Sequence, residues 1–391
     1  MNIAIFSDTY PPEINGVATS TANLRQCLLS HGHAVLVVTT NPFSKQLSFE
    51  DGIIRLPGLK LKRLYDYRAS AFYSGEAMRI IERFRPDIIH CQHDAGVSIF
   101  GTLAASRLHI GAVYTCHTLY EDYAYYLTKG HFDRFARQAI RFYLRRKSNV
   151  YEEFIAPSQK TKDYLRSIGV DATVSIIPTG IDFDRFDPKN EDKAETARLK
   201  RELGIGEDDF VLLSLGRIAK EKSIDVLIDG FDLFLKSQPK FKAKLLIVGW
   251  GPGEDELKEQ SSRLRIADKV IFAGKCPPEK TQLYYHLGDV FASASVTETQ
   301  GLTFMEAMAA RLPVLARYDD NLSGTVKDGQ NGFFFLDCHD FPDKLSAMIA
   351  LGKGGLAKLG TEASRSIEPY SMERFYRNIF EVYKRVCKKC W

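Results

Sequence analysis

The chain has 391 residues, more than one simple core usually organises, which predicts two domains. Hydrophobic residues at 45% and charged residues at 26% are ordinary for a soluble protein, and a formal net charge of +4 is too small by itself to argue nucleic-acid binding. Seven scattered cysteines and the lack of any apolar run of about 18 residues argue against a disulfide framework and against a membrane span.

Asn2–Ser7 reads as a buried strand at the very start, which leaves no room for a targeting peptide and predicts a cytoplasmic protein. A Pro-rich loop ending at Gly16 then leads into a helix over Val17–Ser30. This order makes either an anion contact at a helix start or a plain turn. Strands follow at Ala34–Thr39, Gly52–Leu56, Asp87–Cys91, Ala112–Cys116, Phe154–Ser158 and Val174–Ile177. Helices are expected between them at Ser74–Phe84, Ala95–Arg107, Phe132–Lys147 and Lys160–Ile168. Strands alternating with helices predict a parallel sheet covered on both faces. Asp8, His93 with Asp94, and His117 all fall just past strand ends, on one shared sheet edge, where open sheets place ligands.

Pro178–Pro188 is turn-rich and leads into the charged segment Lys189–Glu207, the expected boundary. The pattern then restarts. Phe210–Gly216 is a strand, and Arg217–Lys222 is a loop carrying three cations. Ser223 is the expected cap of a helix over Ile224–Lys236. Arg217 can fork onto two oxygens and Lys222 can act as a point charge, which suits a diphosphate; a solvated basic loop is the competing reading. Lys244–Val248 is a strand followed by Gly249-Trp-Gly-Pro-Gly253, whose glycines permit close backbone approach. Val270–Ala273 is the next strand, and Gly274, Lys275 and Cys276 follow it with backbone groups suited to a base edge. The last strands are Asp289–Ser293, Pro313–Leu315 and Gly332–Leu336. Helices at Phe341–Leu351 and Met372–Val386 complete the chain.

Glu298-Thr-Gln-Gly-Leu-Thr-Phe-Met-Glu306 joins one of those strands to a helix pattern. Gly301 opens the helix, Glu298 lies on the loop before it, and Glu306 falls near its second turn. The competing reading is a surface carboxylate and a solvated helix glutamate. Asp182-Phe-Asp184 lies in the linker rather than at a strand end, and Cys387-Lys-Lys-Cys390 has no partnering pair, so no metal site is expected.

In order, Ile5-Phe-Ser-Asp-Thr-Tyr-Pro-Pro12, Asn15-Gly16, Pro178-Thr-Gly-Ile-Asp182, Gly216-Arg217 with Lys222, Val248-Gly-Trp-Gly-Pro252 and Glu298…Glu306 resemble the retaining glycosyltransferases of the two-Rossmann-domain (GT-B) type, in family 4 with its Glu-x7-Glu motif. The resemblance covers the whole chain. The family usually has Pro-Phe-Gly after the first glutamate. Thr299-Gln300-Gly301 here, and His117-Thr-Leu-Tyr-Glu-Asp-Tyr123, resemble the branch that glucosylates diacylglycerol.

That resemblance implies two Rossmann-like doubly wound α/β domains facing each other across a cleft. Residues 1–180 would form the acceptor domain, with the helix at 372–391 packing back on it, and 181–371 the nucleotide-sugar domain. A hexose, glucose from UDP-glucose, would pass to a lipid such as 1,2-diacylglycerol with retention. The alternatives are mannose, galactose or glucose transfer to a phospholipid, glycolipid or wall precursor, and a silent sugar-nucleotide-binding scaffold. The resemblance places Arg217 and Lys222 on the diphosphate, Glu306 on the ribose and Glu298 on sugar hydroxyls. It puts His117 at the sugar and gives Gly16, Lys275, Thr299, Gln300, Gly301 and Leu302 donor contacts. Asp94 would lie on the acceptor side. No bound cofactor or obligatory metal is implied.

Arg134, Arg137, Arg141 and Arg145 recur at helical steps within 132–147 and form one stripe, with Phe132, Phe135, Ala139, Phe142 and Tyr143 expected opposite, against the domain. Such a helix suits an anionic membrane surface, at the inner face of the cell membrane, or is simply a solvated face on a core helix. Lys60, Lys62, Arg63 and Arg68, interleaved with aromatic and leucine residues, form a second candidate patch.

Overall fold

A computed structural model describes residues 1–60, 68–70, 72–92, 96–118, 133–296, 298–320, 322 and 324–389, with the side chains of 59–60, 68–70, 133–137 and 389 outside that description. The chain divides into two compact units, Met1–Gly180 with the chain from Met372 onward, and Ile181–Ser371.

The first unit contains β1 (Asn2–Phe6), β2 (Ala34–Thr40), β3 (Ser48–Glu50), β4 (Ile53–Leu56), β5 (Gly58–Lys60), β6 (Arg68–Ser70), β7 (Ile88–Cys91), β8 (Ala112–Thr115), β9 (Glu153–Ala156) and β10 (Thr173–Ile176). Its helices are α1 (Gly16–Ser30), α2 (Gly75–Phe84), α3 (Gly96–Leu108), α4 (Asp133–Lys147) and α5 (Gln159–Ser167). Eight strands make one sheet in the order β10-β9-β8-β7-β1-β2-β4-β3, parallel except for the β3–β4 edge. Alternate residues of the central strands feed opposite cores, as a doubly covered sheet requires. Ala4, Phe6, Leu36 and Val38 point into one, and Ile3, Ile5, Val35 and Val37 into the other.

The second unit runs α6 (Phe183–Phe186), α7 (Lys193–Glu202), β11 (Phe210–Leu215), α8 (Ile224–Ser237), β12 (Ala243–Val248), α9 (Glu254–Arg263), β13 (Val270–Gly274), α10 (Thr281–Leu287), β14 (Val290–Ser293), α11 (Leu302–Ala309), β15 (Val314–Arg317), β16 (Gly332–Phe335), α12 (Phe341–Ala350) and α13 (Gly352–Ser366). Its six strands are all parallel, in the order β13-β12-β11-β14-β15-β16. Leu213 and Phe291 face one core, Leu212 and Val290 the other.

The last helix, α14 (Met372–Lys389), returns to the first unit. Phe375, Ile379, Val382, Tyr383 and Val386 recur at helical spacing and are buried against Ile3, Ile5, Leu24, Leu28 and Ile88. At about 1.5–3 kcal/mol per buried side chain they contribute roughly 7–15 kcal/mol of gross stabilisation, as much as the net stability of a whole domain.

Three differences from expectation concern the charged segment, α4 and the start of α8. The charged segment read as linker contains α7, whose Asp192 side chain accepts from the Ala194 and Glu195 amides. Leu199 and Leu203 pack on the core and hold it there. In α4 the buried face is Leu144 and Lys147 with half-buried Ile140, whereas Phe142 and Tyr143 are 63% and 38% exposed. The i, i+4, i+7 run of Ile140, Leu144 and Lys147 wins because the Lys147 ammonium sits 4.1 Å over the Tyr114 ring on β8. Arg141 and Arg145 are exposed, beside Phe142 rather than opposite it; the side chains of Arg134 and Arg137 lie outside the described ones. Finally, Ser223 does not cap α8 through its side chain. It sits at φ 48°, in the left-handed region, after the tight turn Lys220–Lys222, whereas side-chain capping needs an extended residue.

Candidate functional site

In the second unit the chain first adds β12 and β13 on one side of β11, then β14, β15 and β16 on the other. β11 and β14 are therefore the neighbours at which the crossovers reverse direction. The loops leaving their carboxyl ends diverge, and this is where open parallel sheets bind ligands. Arg217 and Lys222 follow β11, and Glu298 follows β14. Lys222 Nζ lies 2.6 Å from Glu298 Oε1, so an ion pair bridges the reversal. Arg217 donates to Glu221, whose carboxylate is almost buried. Two cations thus stand at one strand end, each ion-paired to a carboxylate.

The backbone beneath them is packed tightly. Ile218 donates from its amide to Trp250 O at 3.1 Å, and Gly253 donates to Ile218 O at 3.3 Å. A Cβ at Gly249 would stand 1.8 Å from Gly216 O, and one at Gly251 would stand 1.9 Å from Ile218 O. Only glycine lets the turn after β12 support the Arg217 loop this closely. Beyond β13, Lys275 Nζ lies 4.5 Å over the half-exposed Trp250 ring. That stack was not foreseen; the tryptophan between two turn glycines was its only trace in the sequence.

Gly301 has φ 76°, in the left-handed region, and starts α11. Gln300 is buried, and Thr299 and Leu302 are half-buried around that start. Glu306, one turn into α11, accepts a 2.8 Å bond from Tyr285 Oη on α10. Burial pushes its carboxyl above the ordinary range, against the lowering pull of the Tyr285 bond and of Arg185. Tyr285 carries no signal in the sequence, because a buried tyrosine on a helix reads as core.

In the first unit Gly16 begins α1, with Asn15 Oδ1 accepting from the Ala18 amide at 2.9 Å. Asp8, just past β1, accepts from the Val97 amide at 3.0 Å, and so serves the start of α3. His117, past β8, is half-buried, and its Nε2 lies 2.6 Å from Gln92 Oε1, past β7. Gln92 in turn reaches the fully buried His90. His93 and Asp94 lie outside the described residues, as do residues 119–123 and Lys62 and Arg63 of the second basic patch.

A cavity of about 340 Å³ in the second unit is lined by Phe183, Arg311, Thr361, Ser364, Arg365, Glu368 and Ser371. Arg311 precedes β15, so this cavity opens at the amino edge of the sheet, away from the cations. Among the described residues no group of three or more His, Cys, Asp or Glu gathers, and no helix is long and apolar enough to cross a membrane.

Residues 14–185 match the family described as Glycosyltransferase Family 4, and residues 195–353 that described as Glycosyl transferases group 1. The chain is 34% identical to the alpha-monoglucosyldiacylglycerol synthase of Streptococcus pneumoniae (strain ATCC BAA-255 / R6), over 98% of this chain and 85% of that protein. It is also 34% identical to the protein of the same name from Acholeplasma laidlawii, over 98% and 96%. Among solved structures, Anabaena HepE in complex with UDP-glucose aligns with a TM-score of 0.75 at 18% identity, covering 98% of this chain and 100% of that one. At that identity the likeness speaks for the fold alone.

Proposed function

The chain belongs to glycosyltransferase family 4, and on that premise we propose that it moves glucose from UDP-glucose to the free hydroxyl of 1,2-diacylglycerol with retention at the anomeric carbon. The observation that carries the reading is the Lys222–Glu298 pair across the strand reversal, with Arg217 beside it. The two near-full-length relatives named for monoglucosyldiacylglycerol synthesis supply the substrate class.

In this reading the acceptor oxygen bonds to the anomeric carbon as the bond from that carbon to the β-phosphate oxygen breaks. The hydroxyl proton passes to a phosphate oxygen of the departing UDP on the same face, so no side-chain base is needed. Negative charge grows on the diphosphate, and Arg217 and Lys222 stabilise it. Glu298 holds the Lys222 ammonium and meets sugar hydroxyls. Glu306 meets the ribose, and the backbone at Thr299–Leu302 and near Lys275 completes the donor site. Residues 1–180 with the last helix form the acceptor domain, with Gly16, His117 and Asp94 serving the sugar and the acceptor. The reading calls for no bound cofactor and no obligatory catalytic metal.

The protein works at the cytoplasmic face of the membrane without spanning it. Arg141, Phe142, Arg145 and Arg146 share the exposed side of α4, a mixture of cations and aromatic surface suited to anionic lipid. The test incubates the full chain with radiolabelled UDP-glucose, UDP-galactose or GDP-mannose and vesicles containing diacylglycerol. The expected product is α-glucosyldiacylglycerol from UDP-glucose, identified by the NMR coupling of its anomeric proton. A product formed only on an already glycosylated lipid, or a β-linked one, refutes the reading.

A further inference from the structure

β11, β12 and β13 are neighbours in the sheet of the second unit, and their carboxyl ends lead into Arg217, Trp250 and Lys275. Adjacent strands lie about 4.8 Å apart, so the three residues step outward along one edge from the strand reversal. Two backbone bonds fix the middle step. The Gly249 amide donates to Gly274 O at 2.9 Å, and the Ile218 amide donates to Trp250 O at 3.1 Å. Held from both sides, the indole is still 46% exposed, and the Lys275 ammonium lies 4.5 Å over its ring. Among the described residues neither side chain makes a hydrogen bond or an ion pair.

The turn does not relax this ring into the core, because Gly249 and Gly251 are pressed against Gly216 O and Ile218 O and so place the residue between them. Lys275 adjoins Cys276, which shares its core with Tyr285 and Met305. Burial pushes the Cys276 thiol up to about 12, and Glu306 is near enough to add to the rise. The ring and the ammonium therefore border both the cations assigned to the diphosphate and the carboxylate assigned to the ribose. The base, the one remaining part of the donor nucleotide, falls at this edge. Uracil is planar and polar only at its rim, so holding it takes a flat face as well as hydrogen bonds. The backbone of Gly274–Cys276 suits the rim, and Trp250 is the flat face beside it.

We propose that Trp250 supplies the surface on which the base of the donor nucleotide stacks, the Lys275 ammonium moving off the ring to a carbonyl oxygen of the base. The proposal rests on the reading of the second unit as the UDP-glucose site. A cation over an exposed ring is held more weakly than a base stacked on an aromatic side chain, so the exchange runs toward the base. Stacking is indifferent to which base is bound, so Trp250 contributes affinity and the backbone at the rim contributes selectivity. The base does not change during transfer. Its contact is equally strong in the ground state and the transition state, and shows in KM rather than in kcat.

The chain has two tryptophans, Trp250 and Trp391, so Trp391→Phe leaves the first as the sole indole fluorophore. The experiment titrates this full-chain variant with UDP and with inorganic pyrophosphate while following emission. It also compares Trp250→Ala and Trp250→Phe with wild type by calorimetry, kinetics and thermal melting. UDP is expected to quench the emission along the calorimetric binding curve, and pyrophosphate, which has no base, to leave it unchanged. Trp250→Ala is expected to weaken UDP binding and raise KM for UDP-glucose by about 5–150-fold, the loss typical of one base–aromatic stack, with kcat little changed. Its affinity for pyrophosphate should match wild type, and Trp250→Phe should recover most of the UDP affinity. Unmoved emission at saturating UDP overturns the inference. So does wild-type UDP affinity in Trp250→Ala, or an equal loss for UDP and pyrophosphate with the melt intact. Should Trp250→Ala fail to fold, the fluorescence titration and Trp250→Phe decide. A wild-type chain that binds no UDP in the calorimeter overturns the proposed function instead.

Discussion

Gly251→Ala perturbs the site without touching a catalytic side chain. Its backbone is not in the left-handed region, so the effect isolates close approach from strain. The new Cβ would stand 1.9 Å from Ile218 O, where real contacts do not fall under 3.0 Å, so the two backbones must separate by 3.0 − 1.9 = 1.1 Å. Overpacking of this kind costs about 1–3 kcal/mol. The Ile218–Trp250 and Gly253–Ile218 bonds, worth about 1 kcal/mol each, are stretched at the same time. Arg217 adjoins the displaced carbonyl, and a misplacement of about 1 Å can cost 100-fold in rate. The expected outcome is a loss of about 100-fold in kcat with UDP-glucose and a fall in melting temperature. Gly324→Ala, which meets nothing within 4 Å, is the control. Turnover within twofold of wild type in Gly251→Ala would refute the claim that this turn supports the cation loop.

Arg217→Ala should lower kcat by about 2–4 kcal/mol of transition-state stabilisation, with the melt little changed; unchanged turnover rejects its role at the diphosphate. Glu306→Gln tests the buried carboxyl through pH. Its folded pKa lies above its ordinary 4.5, so wild type loses stability as pH rises from about 4.5 through the folded value. The glutamine variant should therefore melt higher than wild type at pH 7 and converge with it near pH 4; parallel curves would contradict this. Replacing Arg141, Arg145 and Arg146 together by glutamate should abolish sedimentation with anionic vesicles while the soluble protein still binds UDP. Retained sedimentation sinks the membrane role of α4.

Most of both sheets was legible because central parallel strands are short, mostly apolar runs closed by glycine or polar residues, as in Val211–Gly216 and Val290–Ser293. The crossovers hidden from sequence were those with weak apolar periods. In α7 ten residues carry only one large apolar side chain, Leu199, and α13 begins on Gly352, Gly354 and Gly355. The candidate site was legible as residue types at strand ends, since Arg217, Lys222, Glu298 and His117 each follow a readable strand. Their bonds were not. Nothing local to Lys222 says that its ammonium meets a carboxylate 76 positions away, and nothing local to His90 says that its partner is Tyr383. Those pairings depend on strand order, which is a long-range property. The face of α4 was misread because Phe142 and Tyr143 are more apolar than Lys147, yet the aromatic floor of Tyr114 and Tyr151 accepts the lysine.

The first unit is assembled from two segments that the whole second unit separates in sequence, and this sets an order of events during synthesis. When Ile3, Ile5, Leu24 and Ile88 leave the ribosome, Phe375, the first buried residue of the helix that will cover them, is between 287 (375 − 88) and 372 (375 − 3) codons from being made. The contiguous stretch from Ile181 to Ser371 can close first, while the earlier-made half waits with an open apolar seam. A message truncated only at its final helix would yield a finished second unit tethered to a sticky, protease-sensitive partner. Chaperone demand should accordingly persist until that helix is made.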